Sequence, residues 1–133
     1  MTETTLAGVH HVALNVCDLD RSVRWYSDVL DFAMLIPFDT DEFERRIMGH
    51  PSGLFLALTK HRHPHSDLLF DERRTGLDHL SFGVASREAL DAWAERLGAA
   101  GIEHGGVVVS PGTGFTLLAF RDPDGIQLEL YLA

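Results

Sequence analysis

Two stretches of the chain alternate between apolar and polar positions, as half-buried β-strands do. In residues 9–17 one face is apolar and the other is small or polar: Val12, Leu14 and Val16 against His11, Ala13 and Asn15. Residues 79–84 repeat the pattern, again with a histidine at the first position. Each stretch is therefore predicted to form a strand whose apolar face is covered by a helix, while its opposite face carries a leading histidine.

A helix is predicted after each strand, because apolar residues recur there at helical spacing behind a capping side chain. Asp18 or Asp20 can cap the first helix, and Ser86 can cap the second. Gly98 or Gly101 is expected to end the second helix. The two apolar stripes are Leu19, Val23, Tyr26 and Leu30, and then Leu90, Trp93, Ala94 and Leu97.

The chain repeats itself once. Residues 11–16 (HVALNV) align with residues 79–84 (HLSFGV) 68 positions later, and 51–58 (PSGLFLAL) align with 123–130 (PDGIQLEL) 72 positions later. A turn at 122–125 (DPDG) is expected to close a hairpin. Three more strands are predicted in each copy, at 33–38, 45–49 and 54–59 and at 107–110, 115–121 and 126–132.

These elements predict an α+β protein of two tandem βαβββ modules, whose curved mixed sheet surrounds a central trough. The length of 133 residues suits a single domain, residues 1–133. The modules cover about residues 6–60 and 76–133, and a polar connector at 61–75 joins them, with a short helical turn at 67–70. By alternation the trough is lined by Ala13, Asn15, Phe55, Ala57, Ser81, Gln127 and Tyr131. Such concave sites bind small molecules.

The charge balance narrows the class of partner. Eleven Lys and Arg against 20 Asp and Glu give a net charge of −9, which disfavours nucleic acid. No apolar run approaches the roughly 20 residues that span a bilayer, and the first eight residues lack the features of an export signal. The single cysteine, Cys17, cannot form an internal disulfide. We therefore expect a cytoplasmic protein with a small-molecule substrate.

Two histidines and one carboxylate form the strongest chemical signal. His11 and His79 occupy equivalent positions of the repeat, and Glu129 shares the trough side of the last strand. An ionised carboxylate there is costly unless it is paired or bound to a cation. Two imidazoles and one carboxylate can hold Fe²⁺, Mn²⁺ or Zn²⁺ and leave positions open for substrate. Taken singly, each of these residues is more commonly structural or solvated.

Four segments carry a family resemblance: 10–16 (HHVALNV), 18–26 (DLDRSVRWY), 76–82 (GLDHLSF) and 121–130 (RDPDGIQLEL). They resemble the vicinal oxygen chelate superfamily, which includes glyoxalase I, extradiol dioxygenases, methylmalonyl-CoA epimerase, and fosfomycin-resistance and bleomycin-binding proteins. The resemblance spans nearly the whole chain, and it implies the paired-module fold that the repeat predicts. It is specific for the superfamily and not for one activity.

The resemblance implies metal ligands at His11, at the position of Ala57, at His79 and at Glu129. Alanine has no donor atom, although glyoxalase I and the epimerases carry Glu or Gln there. Extradiol dioxygenases and fosfomycin-resistance proteins are similar to this chain in using two histidines and one glutamate. Bleomycin-binding proteins usually lack these ligands. Modules of this superfamily often pair across chains, which implies a homodimer in which His11 of one chain joins His79 and Glu129 of the other.

The sequence therefore favours a metal-dependent enzyme, with ring-cleaving extradiol-type dioxygenation and Fe²⁺ as the first hypothesis; Mn²⁺, Zn²⁺ or Ni²⁺ are the other candidate metals. A fosfomycin-type thiol transferase or a glyoxalase-type lyase is a further alternative. The rival of another class is a metal-independent protein that sequesters an aromatic natural product or antibiotic. No catalytic residue is assigned, and Tyr131 is the candidate for a proton donor or substrate contact beside Glu129.

The remaining charged and histidine-rich stretches are interpreted as surface. His10 is expected on the helix side in a packing or surface role. Residues 42–46 mix signs and are expected to be solvated, although Arg45 or Arg46 could reach an anionic substrate. The connector histidines, His61, His63 and His65, are interpreted as a solvated loop and not as a second metal site.

Overall fold

Each half of the chain folds as one strand, one helix and three strands in the computed structural model, which describes residues 4–65 and 69–132. The chain divides into two units, Met1–Asp67 and Leu68–Ala133. Each unit has its own four-stranded sheet of mixed strand direction. The predicted pair of βαβββ modules is confirmed.

The first unit carries one helix against a four-stranded sheet. Its strands follow the order β1-β4-β3-β2, in which β1 runs parallel to β4 and the other pairs are antiparallel. The helix contacts β3 and β4. The elements are β1 (Val12–Asn15), α1 (Leu19–Leu30), β2 (Ala33–Asp39), β3 (Phe43–Gly49) and β4 (Phe55–His61).

The core of the first unit lies between α1 and its sheet. The helix buries Leu19, Tyr26, Val29 and Leu30, and the sheet buries the apolar side chains that alternate toward them: Leu14, Met48, Leu56 and Leu58. The helix begins at the Asp18 cap, whose carboxylate accepts a hydrogen bond from the Arg21 amide at 3.0 Å. It ends at Asp31, which adopts left-handed backbone angles with φ of 65°.

The second unit repeats this arrangement with strand order β5-β8-β7-β6, and β5 runs parallel to β8. Its core contains Leu90 and Leu97 from the helix and Leu118, Leu128 and Leu130 from the sheet. The elements are β5 (Leu80–Val84), α2 (Arg87–Ala99), β6 (His104–Val109), β7 (Thr116–Arg121) and β8 (Gln127–Leu132).

Equivalent pairings in the two sheets give the repeat a structural meaning. Ala13 stands opposite Ala57 in the first unit, and Ser81 stands opposite Glu129 in the second. These residues are the pairs that the sequence alignment equates, 68 and 72 positions apart. The turn between β7 and β8 also forms as predicted, with Gly125 at φ of 81° and its amide donating to the Asp122 carbonyl at 3.0 Å.

Several predicted strand limits are wrong at their ends. The strand predicted over 9–17 covers only Val12–Asn15, because its one neighbour, β4, begins at Phe55 and pairs no earlier than Leu56. The strand predicted over 45–49 begins instead at Phe43, since β3 pairs with β4 as far as His61. The strand predicted over 107–110 begins at His104, three residues earlier.

The structure describes only part of the predicted connector at residues 61–75. Residues 66–68 lie outside the described residues, so the helical turn predicted at 67–70 is described only at Leu69 and Phe70, which belong to no helix or strand. The Phe70 amide donates to the Asp124 carbonyl at 3.0 Å. The end of the connector is thereby attached to the hairpin of the second unit.

Neither helix of the described chain combines the length and apolarity needed to cross a membrane.

The cap of α2 provides a test of how the second unit is stabilised. The Ser86 hydroxyl accepts a hydrogen bond from the Ala89 amide at 3.1 Å. Ser86→Ala should lower the free energy of unfolding by about 1 kcal/mol, because that amide loses its partner. Ser86→Asp should retain most of the stability, since aspartate caps the equivalent helix at position 18. Urea unfolding of the three proteins measures this, and equal midpoints would contradict the capping role.

Candidate functional site

Each sheet has one face against its helix and one face that its own helix does not cover, here called the helix-free face. On β8 the buried residues Leu128 and Leu130 alternate with half-buried Gln127, Glu129 and Tyr131. The predicted alternation of this strand is confirmed. In the first unit Ala13, Asn15 and Phe55 are exposed on the helix-free face, whereas Ala57 and Thr59 are almost fully buried.

Two of the three predicted metal ligands lie side by side in the second unit. His79 directly precedes β5, and Glu129 lies on β8 opposite Ser81. The His79 Nε2 and Glu129 Oε2 atoms are 3.3 Å apart, and the glutamate side chain is only 15% exposed. Within the described residues, Oε2 is a buried atom with no hydrogen-bond partner. A buried carboxylate oxygen without a hydrogen-bond partner is costly unless a positively charged group binds it.

The orientation of His79 is set by the residue before it. Its Nδ1 atom lies 2.7 Å from Oδ1 of Asp78. A carboxylate at this distance holds the proton on Nδ1 and leaves the Nε2 lone pair free toward Glu129. Carboxylates orient metal-binding histidines in the same way and increase their basicity. Asp78 is a residue that the sequence analysis missed.

This pair fits a divalent cation. Two ligands about 2.1 Å from one cation, at an angle of about 100°, lie about 3.2 Å apart. The measured separation of 3.3 Å agrees with that spacing. The contact is not a hydrogen bond: Oε2 has no hydrogen-bond partner in the described chain. Imidazole nitrogen and carboxylate oxygen are both suitable donors for such a cation.

The third predicted ligand, His11, lies in the first unit. It directly precedes β1, as His79 precedes β5. Its Nδ1 atom is 2.8 Å from Nδ1 of His10, and the two rings meet edge to face. Of the two roles expected for His10, packing or surface, the structure shows the surface role, because its ring is exposed and contacts His11. When His11 donates this hydrogen bond, its Nε2 atom retains the lone pair that a cation requires.

His10 and Asp78 are equivalent positions of the repeat, 68 residues apart. Each contacts the Nδ1 atom of the histidine that follows it. The common offset was the signal from which these two roles could have been inferred. Across residues 4–65 and 69–132, no group of three or more His, Cys, Asp or Glu side chains is arranged to hold a metal. The His79–Glu129 pair belongs to the second unit and His11 to the first.

Ala57 occupies the position equivalent to Glu129 and lacks any ligand atom. It is 2% exposed, and it lies between Ala13 on β1 and Ile47 on β3. An apolar surface therefore surrounds the position at which a fourth ligand would stand. Any metal centre built from this chain has no carboxylate from β4.

Tyr131 lies two residues after Glu129, on the same face of β8. A hydrogen bond to the Glu129 carboxylate, followed by partial burial, raises the pKa of Tyr131 above its usual value of 10.0. The phenol therefore keeps its proton at neutral pH and can act as a hydrogen-bond donor. Tyr131 also packs edge to face on Phe115, with ring centroids 6.0 Å apart.

The predicted solvated stretch at 42–46 is wrong from Phe43 onward. Arg45 lies on the helix-free face of β3, opposite Thr59, and its Nε donates to Thr59 Oγ1 at 2.9 Å. Its guanidinium carbon lies 4.1 Å from the centre of the Phe43 ring. The strands predicted at 45–49 and 54–59 carried no register from which this pairing could have been read. The connector histidines His61, His63 and His65 are exposed, as expected, but His61 is the last residue of β4 and not part of a loop.

Comparison with known proteins places this geometry in a family. The family model described as Glyoxalase/Bleomycin resistance protein/Dioxygenase superfamily matches residues 8–130. A solved glyoxylase/bleomycin resistance protein/dioxygenase domain from Frankia sp. EAN1pec is 43% identical, covers 97% of this chain and 99% of its own, and superposes with a TM-score of 0.88.

Several relatives have named activities, of which two illustrate the range. Lactoylglutathione lyase from Haemophilus influenzae is 30% identical, over 90% of this chain and 87% of the relative. The metallothiol transferase FosB from Staphylococcus saprophyticus is 26% identical, over 95% of this chain and 77% of the relative. The match over residues 8–130, the twofold βαβββ repeat and these relatives agree, and the chain belongs to the Glyoxalase/Bleomycin resistance protein/Dioxygenase superfamily.

Proposed function

We propose that this protein is a divalent-metal-dependent enzyme that joins a thiol to a small substrate, with His11, His79 and Glu129 as the metal ligands. The observation that carries the proposal is Glu129 Oε2, which is buried without a hydrogen bond 3.3 Å from Nε2 of His79. A carboxylate so placed is explained by a cation that it binds. A sequestering protein without metal would leave that oxygen unsatisfied.

Transfer of a thiol is favoured over other reactions of the superfamily. The S. saprophyticus relative is named a metallothiol transferase, and the name of the H. influenzae relative, lactoylglutathione lyase, contains the thiol glutathione in its conjugated form. A divalent cation held by His11, His79 and Glu129 would supply Lewis acidity to the oxygen of the bond that breaks. The reaction forms a C–S bond and breaks a C–O bond. The electron pair stays on that oxygen, which also receives the thiol proton, so no oxidant is consumed.

The chain's own residues restrict what the site can do. Ala57 cannot bind metal or carry a proton, so a lyase that moves a substrate proton between two carboxylates lacks one of them. Tyr131 donates its single O–H to the Glu129 carboxylate, so a hydrogen bond from this phenol to a developing alkoxide requires that the O–H turn from Glu129 to the substrate oxygen. We therefore assign Tyr131 the role of substrate contact, and Glu129 the role of ligand.

Ring-cleaving dioxygenation is the second candidate, and an exposed aromatic residue on the helix-free face of the first unit favours it. Phe55 is 42% exposed there, opposite Gly49 on β3. Flat apolar surfaces of this kind suit an aromatic ring. Fe²⁺ is the metal for that chemistry, whereas Mn²⁺, Zn²⁺ or Ni²⁺ suits thiol addition. Oxygen consumption with catechol and Fe²⁺ would favour the second candidate.

We also propose a homodimer, in which His11 of one copy completes the metal site of the other. The edge strand β2 supports this, because Met34, Leu35, Ile36 and Phe38 are 45 to 56% exposed. Exposed apolar surface of this extent is typical of protein–protein contact. Light scattering at micromolar concentration should give twice the mass of one chain. A monomeric mass with normal metal binding would contradict the shared site.

Glu129→Gln tests the metal centre directly. The amide keeps the shape of the side chain but removes the negative charge that binds the cation. Mn²⁺ or Zn²⁺ should raise the melting temperature of the wild type, since a ligand that binds only the folded state stabilises it. The shift should be far smaller in the variant, and metal affinity should fall at least about 10-fold.

The matched control is Glu95→Gln, which removes one exposed carboxylate from α2. It should melt and respond to metal as the wild type does. Equal metal shifts in wild type and Glu129→Gln would remove Glu129 from the site. The absence of any metal shift in the wild type would favour the sequestering protein.

Asp78 is predicted to position His79 and not to stabilise the fold. Its side chain is 74% exposed, so Asp78→Ala should leave the urea midpoint unchanged. Affinity for Zn²⁺ by calorimetry should fall about 10- to 100-fold, because the imidazole loses its orienting partner. Asp78→Asn should recover part of this loss, since its amide oxygen still accepts from Nδ1. Equal Zn²⁺ affinity in all three proteins would show that Asp78 does not orient the ligand.

A further inference from the structure

Arg45 differs from the arginines that form ion pairs in the described chain. Arg45 is half-buried, yet within residues 4–65 and 69–132 it has no carboxylate partner. By contrast, five other arginines contact a carboxylate at 2.7 to 3.4 Å: Arg46 with Asp39, Arg62 with Glu44, Arg73 with Asp71, Arg87 with Asp91 and Arg121 with Glu72. In a chain of net charge −9 an unpaired, half-buried guanidinium requires an explanation.

The side chain of Arg45 is nevertheless held in place. Thr59, which accepts from its Nε, is 1% exposed and belongs to the central strand β4. The ring of Phe43 lies under the guanidinium, an arrangement that contributes about 0.5–1 kcal/mol at partly exposed sites. Both contacts leave the two terminal nitrogens without a hydrogen-bond partner among the described residues. An arginine clamped through Nε alone therefore presents a free pair of NH₂ groups.

None of the described strand residues beside Arg45 on the helix-free face carries a negative charge. On the helix-free face of the first unit the strand residues beside Arg45 are Phe38, Ile47, Ala57 and Thr59. Asn15 is the cross-strand partner of Thr59 and is exposed, so its amide adds a second donor on this face. The acidic neighbours Asp39 and Glu44 alternate onto the other face.

We propose that Arg45 is an oxyanion-binding residue, held by Thr59 and Phe43, that takes a carboxylate, phosphate or phosphonate group. A planar guanidinium with two free NH₂ groups matches two oxygens of such a group in a bidentate contact. Assigning the oxyanion to the substrate rests on the proposed function. Anion binding by Arg45 itself requires no metal. Arg45 would thereby restrict the enzyme to anionic substrates.

Inorganic phosphate, methylphosphonate and acetate are the probes, each titrated into protein dialysed against a chelator. The arginine Nε–Hε resonances report binding in a ¹H–¹⁵N spectrum, and the Arg45 signal is the one absent from Arg45→Lys. At least one probe should shift that signal saturably. Arg45→Met, followed by calorimetry, should weaken binding of that probe at least about 10-fold, as loss of a bidentate charged contact implies.

The matched control is Arg46→Met, which removes one cation from the same strand but from its other face, where Arg46 pairs with Asp39. It should bind the probe as the wild type does. Thr59→Val keeps the size of the side chain and removes the oxygen that accepts the hydrogen bond from Nε. It should weaken binding of the probe several-fold and accelerate hydrogen exchange at Hε. The relative affinities of the three probes identify the oxyanion class.

The proposal is overturned if no probe shifts the Arg45 signal, or if Arg45→Met and Arg46→Met bind equally well. Because the protein is free of metal in this experiment, the measured anion affinity does not depend on whether the proposed metal site exists. Conversely, normal Zn²⁺ binding with no anion binding would reject the role of Arg45 and retain the metal centre.

Discussion

The carboxylate of Glu129 is the group on which the interpretation of this protein depends. It lies on β8, the strand between β5 and β7, where Leu128 and Leu130 are drawn into the core on either side of it. That alternation turns Glu129 toward the helix-free face and brings it beside His79. Burial of its flanking residues therefore fixes the position of a carboxylate whose Oε2 atom has no hydrogen-bond partner among the described residues.

The duplicated units have the same strand order and register, but their side chains differ in chemistry at equivalent positions. Where the second unit has Glu129, the first has Ala57, and where the first has the Arg45–Thr59 contact, the second has Leu117 opposite Tyr131. The backbone pairings around these positions are equivalent, so the differences lie in side chains and not in topology. One copy carries a carboxylate and the other a guanidinium.

The sequence predicted what periodicity and repetition determine. The order of elements, the two helix caps and the alternation of β8 required only apolar spacing and the repeat. The start of β3 at Phe43 was missed, because it depends on how far β4 continues as a partner. The contacts of His10 and Arg45 were missed for another reason. Each depends on a side-chain rotation, which no pattern of apolar residues constrains.

The contacts between the connector and the second unit restrict where this chain can be split or circularly permuted. Glu72 pairs with Arg121 at 3.0 Å, and the Phe70 amide bonds to the Asp124 carbonyl. The second unit thus includes a clasp formed by residues that precede its first strand. A circularly permuted or split version of this protein would have to be cut before residue 70 for its second half to retain that clasp. A cut at the start of β5 would separate the clasp from the hairpin it holds.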